Sequence, residues 1–117
     1  MEEAVAGALI RAGAAVVARN VRVRTLRGEI DLIVLERGEL VFVEVKGRRA
    51  GNAIGPERAA LAVTRRKQLK LRALARAWLA ENAARVPRNR GLRFDVVGVT
   101  VDHAGRVVDW EHLRGAF

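Results

Sequence analysis

The chain has 117 residues, 50% hydrophobic and 30% charged, with 11 Gly, 2 Pro and no Cys. This balance suits one globular domain and excludes disordered, collagen-like and disulfide-stapled chains. Lys and Arg number 22 against 13 Asp and Glu, a net charge of +9, and a small domain this basic most often meets a polyanion, usually nucleic acid. Arg supplies 19 of those cations, which favours a planar fork that pairs with phosphate over a point charge. With two His (His103 and His112) and no thiolate, any metal would be held by carboxylates. The start, Met1-Glu2-Glu3, is acidic where a secretion signal is basic, and no apolar run reaches ~18 residues. The expected location is cytoplasmic.

In chain order, residues 2–13 read as a helix, with Val5, Leu9 and Ala12 on one face, acidic residues in the first turn and Gly13 as the stop. Residues 14–23 are β-rich. Gly28 opens a second strand over 29–36, Arg37-Gly38 is a two-residue turn, and a third strand covers 39–46. Residues 47–56 contain three Gly and read as a mobile loop. From Pro56 to about Asn82 the period is helical. Leu71, Leu74, Trp78 and Leu79 form its apolar stripe, basic residues its other face, and Thr64 is a cap candidate inside the stretch. Residues 85–91 are a basic loop, 92–101 a fourth strand and 106–110 a short fifth. The order α-β-β-β-α-β-β predicts an α/β fold, a mixed β-sheet flanked by helices, in a single domain over 1–117.

Two strands carry charge among apolar residues: GEIDLI from Gly28 and VFVEVK from Val41. Charges are rarely buried unless paired or bound to a metal. A two-residue turn at Arg37-Gly38 sets Asp31 opposite Glu44 and Glu29 opposite Lys46, with all four on one face. Ile30, Leu32, Val34, Val41, Val43 and Val45 then fall on the other. A one-residue slip would scatter this set. Opposed carboxylates repel, and Mg²⁺ or Mn²⁺ between them removes the conflict. Lys46 points at the same space, where it would orient or deprotonate water or stabilise phosphate charge. The plainer reading is that Asp31 and Glu44 pair with Lys46 and a nearby Arg on a solvated sheet face; convergence among apolar neighbours favours the site.

The pattern Asp31, then Glu44-Val45-Lys46, resembles the PD-(D/E)XK motif of restriction-endonuclease-like proteins, with Ile30 where the motif has Pro. The wider set is similar to the YraN family: Glu2 on an early helix, Arg19-Asn20, GEIDLI, VFVEVKGR, Lys67 in a helix, RFDVV from Arg93, and a final Ala116-Phe117. The resemblance implies a restriction-endonuclease-like fold, related to archaeal Holliday-junction resolvases, and a nuclease site. In those resolvases a Glu of the first helix joins the metal site; Glu2 matches it, with Glu3 the nearby competitor.

The expected function is Mg²⁺- or Mn²⁺-dependent hydrolysis of DNA phosphodiester bonds, with branched DNA as a candidate substrate. Asp31 and Glu44 would bind the metal, the Val45 carbonyl is a further ligand candidate, Lys46 would assist the water, and Glu2 would join them. Arg48, Arg49, Arg65, Arg66, Lys67 and Lys70 would flank the site and hold phosphates, with Gln68 a further candidate for touching substrate. Glu29 ranks below Asp31, as a supporting carboxylate or a partner for Lys46. Asp95 is expected to pair with an Arg, Trp78 to be core, and His103 and His112 to be incidental. One rival is a binding module that keeps the fold without cutting; another is a subunit whose basic face docks an acidic protein. Junction cutting would need two sites, hence a homodimer.

Overall fold

The structure is a computed structural model that describes residues 1–51 and 62–117. Helix α1 spans Glu2–Arg11, followed by strands β1 (Ala15–Val21), β2 (Ile30–Glu36) and β3 (Glu39–Arg49), helix α2 (Arg65–Glu81), and strands β4 (Leu92–Val101) and β5 (Val107–Leu113). The five strands form one mixed sheet in the order β1-β2-β3-β4-β5. Only the β3–β4 pair is parallel, because its connection carries the crossover helix α2. The α/β class follows, with an architecture consistent with a restriction-endonuclease-like core.

The β2–β3 hairpin has the expected turn. Arg37 and Gly38 both take positive φ, 54° and 80°, as a type I′ turn requires. Glu36 therefore faces Glu39, and the register continues unbroken to Leu32 opposite Val43. Alternation then sorts the side chains. Leu32, Val34, Val41 and Val43 join Val97 and Val99 beneath Val5, Ala6 and Leu9 of α1. Ile33, Leu40, Phe42 and Phe94 pack under Leu71, Leu74, Ala75 and Trp78 of α2. Trp78 is 6% exposed, a core residue as expected, and meets Phe42 edge-on at 6.2 Å.

Several boundaries move. Ala12 is exposed, and α1 seals with Ala6 instead. Ile30 packs with the α2 core and not with Leu32, because β2 begins there and pairs only with Val21 of β1. Strand β3 runs three residues past Lys46: parallel pairing with β4 continues to Arg49–Val101, so the first residues of the expected loop are strand. Residues 52–56 of that loop, including Pro56 as the expected start of the second helix, lie outside the described residues. Helix α2 begins at Arg65, where the Thr64 hydroxyl caps it by accepting the Lys67 N–H at 3.1 Å. Gly28, at φ 114°, lets the chain before β2 press on α2, since a Cβ there would sit 3.1 Å from Leu74 Cδ1. No helix among the described residues is long and apolar enough to cross a membrane.

Candidate functional site

Past Leu32–Val43 the β2–β3 ladder stops and a side chain takes it over. Asp31 Oδ2 accepts the Val45 N–H at 2.8 Å. In an extended residue the N–H and C=O point to the same side, so the Val45 carbonyl also turns toward the Asp31 side. Asp31 and Glu44 are both half-buried. Burial pushes the Asp31 carboxyl up against the opposing Val45 bond, with further upward pressure from Glu2 and Glu29. Burial also pushes Glu44 up, aided by the negative charge of Asp31 and countered by Lys67 and Lys46. Two carboxylates thus share a space that resists holding both negative charges.

Helices α1 and α2 both begin beside this pair. Met1, preceding α1, packs on Gly47 of β3, where a Cβ would collide with its methyl group. That fixes the helix start over the sheet end and brings Glu2, not the exposed Glu3, within electrostatic reach of Asp31. From the first turn of α2, Lys67 Nζ lies 3.9 Å from Glu44 Oε1. Lys46 faces Glu44 closely enough to lower its pKa, while its ammonium donates to the Ala62 carbonyl at 2.6 Å. Among the described residues no group of three or more His, Cys, Asp or Glu has metal-binding spacing; Asp31 and Glu44 are the half-buried acidic pair, and Glu2 acts on Asp31 through its charge.

Glu29 does not face Lys46. It lies before the first residue of β2 and pairs with Arg22 at 3.0 Å. Arg48 shares the Lys46 side of β3 and donates to Thr100 Oγ1 at 3.3 Å. Arg49, Arg65 and Arg66 are exposed around this end of the sheet, and the Lys70 stem lies against Gly28. Gln68 is committed elsewhere, donating to the Val63 carbonyl at 2.9 Å.

A second polar constellation was missed in part. At the opposite end of the sheet, beneath the α1 side, Arg93 binds Asp95 through two bonds of 2.8 Å and reaches Glu36 at 2.6 Å and Glu39 at 3.1 Å. Asp95 has no exposed surface and also accepts the Gly115 N–H. Arg114 clamps Glu36 at 2.8 Å. The expected Arg partner of Asp95 is therefore present, but His112 is not incidental: its Nε2 lies 2.7 Å from Asp95 Oδ2. Strand β5 extends three residues beyond Trp110 and carries that ring inward. Burial would raise Asp95, yet bonds from His112 and Arg93 hold it down at about 2; bonds from Arg114 and Arg93 hold Glu36 at about 2 as well. The legible signal was Arg93 and Asp95 two residues apart, hence on one face of an apolar strand.

Comparison with known proteins agrees with the motif resemblance. The profile of the uncharacterised protein family UPF0102 matches residues 1–99. A UPF0102 protein of Frankia alni is 45% identical over 99% of this chain and 89% of its own length. One from Rhodococcus opacus is 43% identical over 99% and 91%, and one from Chloroflexus aurantiacus is 38% identical over 98% and 87%. The family model and the similarity to these relatives over nearly the whole chain agree: the chain belongs to the uncharacterised protein family UPF0102, the YraN family its motifs resemble.

Proposed function

We infer that this protein is a metal-dependent endonuclease acting on DNA phosphodiester bonds, with branched DNA as the candidate substrate. The observation that carries the reading is the convergence of half-buried Asp31 and Glu44, both shifted toward protonation, with Lys46 and Lys67 beside them. The donor set fits Mg²⁺ or Mn²⁺: hard oxygen ligands, two carboxylates and the Val45 carbonyl, with the remaining positions left to water and phosphate. When bound, such a cation lowers the pKa of water and neutralises charge on the phosphate.

The chain's own residues would do the rest. Asp31 is aimed by the Val45 N–H, which occupies one carboxylate oxygen and leaves the second for a cation. Lys46 is steadied by the Ala62 carbonyl and is suited to orienting a water or holding a phosphate oxygen. Lys67 offsets the negative charge on Glu44. Arg48, Arg49, Arg65, Arg66 and Lys70 supply sequence-independent attraction for the backbone. A homodimer would present the two sites that junction cutting needs, and a cytoplasmic location belongs to the same reading.

The rival, a binding module that keeps this fold without cutting, draws on the absence of a third acidic ligand beside Asp31 and Glu44 among the described residues. One assay separates them. Branched, duplex and single-stranded DNA are incubated with the protein in Mn²⁺ or in EDTA. Strand scission in Mn²⁺ alone is the expected result. Binding to all three substrates with no scission would leave the binding module standing.

A further inference from the structure

Beyond the acidic pair, a cleft of about 400 Å³ opens between the end of β1 and the C-terminal end of α2. Arg22, Arg24, Arg85, Trp78, Asn82 and Glu81 are among the residues that line it. Three arginines there, Arg22, Arg24 and Arg85, stand against one carboxylate, Glu81. The Arg24 and Arg85 side chains are exposed and have no ion-pair or hydrogen-bond partner among the described residues. Asn82 spends one amide hydrogen on the Trp78 carbonyl and keeps the other. Trp78 is buried, yet its indole N–H has no hydrogen-bond partner among the described residues. No buried polar atom among the described residues lacks a partner, so that N–H is open to solvent. Of the nearby carboxylates, Glu81 accepts the Arg24 backbone N–H through Oε2 at 3.0 Å, and Glu29 pairs with Arg22.

We propose that this cleft is a phosphate-binding site for the backbone of the nucleic acid whose cleavage centre is the Asp31–Glu44 pair. Three guanidinium groups against one carboxylate leave the lining net positive, which suits an anionic ligand, and guanidinium forks match tetrahedral phosphate. Its position suits the role. Lys67 lies against Glu44 at one end of α2, and Glu81 lines the cleft at the other. Their fourteen-residue separation along the helix spans ~21 Å at ~1.5 Å per residue. Phosphates on one strand of a duplex repeat every ~3.4 Å along the axis, so the cleft and the acidic pair are far enough apart to engage different phosphates of one nucleic acid. Lys70 lies between the two ends. The role rests on the nuclease reading; the anion site itself does not.

The test uses the two indole N–H signals of the protein, from Trp78 and Trp110, distinguished by Trp110→Phe. Inorganic phosphate should shift the Trp78 signal saturably and leave Trp110 unmoved. Sodium glutamate at equal ionic strength should shift neither. Arg85→Glu should abolish the Trp78 response. In EDTA, which withholds the metal, Arg85→Glu should also lower the log–log salt slope of duplex binding by about 0.9, the value of one phosphate contact. Arg106→Glu is a control of equal charge change on the turn between β4 and β5, four strand spacings or ~19 Å across the sheet; it should leave the Trp78 response intact and the slope unaltered. A Trp78 signal indifferent to phosphate overturns the site, and an equal response to glutamate reassigns it to acidic peptides. A phosphate response with no change of slope in Arg85→Glu overturns the backbone role. Failure of cutting alone touches only the nuclease reading.

Discussion

At the scale of single residues, Lys46 separates chemistry from binding. It is one cation among 22, so its removal barely alters the field, but it stands beside Glu44. Lys46→Ala should abolish cutting in Mn²⁺ while leaving duplex affinity in EDTA nearly intact, as gel cleavage and anisotropy would read. Equal cutting by parent and variant would remove Lys46 from the mechanism. The Asp95 network makes an opposite kind of prediction. Glu36 and Asp95 are held at about 2, below their ordinary 4.5 and 3.8. The unfolded chain therefore binds the extra protons, and their stabilisation is present above about pH 4.5 and lost as pH falls toward 2. Urea unfolding at pH 6 and pH 3 should differ by a few kcal/mol, since each tenfold change in an acidity constant is worth about 1.4 kcal/mol. Arg93→Ala should cost about 3–5 kcal/mol at neutral pH, because it takes the guanidinium from a fully buried carboxylate left with only His112 and the Gly115 N–H, and should flatten the acid response. Asp31 and Glu44 were legible because a charge at a strict period of two in an apolar strand is conspicuous. His112 was not, since its meaning depends on a partner seventeen positions away, across the β4–β5 register.

At the scale of elements, the hairpin was the most legible part. Arg37-Gly38 dictates a turn type, the turn dictates the register, and the register brings Asp31 to Glu44. The helix start was less legible, since basic residues continue past Thr64 and only the cap geometry marks the boundary. That cap also sets the position of Lys67, whose N–H it binds. Thr64→Ala should therefore cost about 1 kcal/mol, a melting shift of a few degrees. A melt unchanged by the substitution would show that the cap does not hold the first turn. The length of β3 was hidden for a different reason. Gly47 suggested a loop, but its missing side chain makes room for Met1, and parallel pairing with β4 carries the strand onward. Glu29 pairs with Arg22 and not with Lys46, because the β2–β3 ladder ends before it and strand alternation no longer sets its direction.

At the scale of the whole molecule, α1 and α2 cover opposite faces of one sheet and begin at the same end of it, so the acidic pair lies between their N-terminal turns. The surrounding charge of +9 predicts electrostatic association. Duplex affinity should fall with salt on a log–log slope of about −0.9 per phosphate neutralised, and a salt-insensitive interaction would speak against a nucleic-acid partner. The central claim is that Asp31 and Glu44 form one cation site, and thermal melts test it without any substrate. In EDTA the two carboxylates oppose each other, at a cost of up to about 1 kcal/mol, or roughly 4 °C for a chain of this size. Asp31→Asn keeps an oxygen for the Val45 N–H and removes the charge, so it should melt above the parent in EDTA. Millimolar Mn²⁺ should raise the parent's melting temperature by mass action and the variant's little. A variant that melts lower in EDTA, with both proteins responding equally to Mn²⁺, would make Asp31 a structural residue and contradict the cation site.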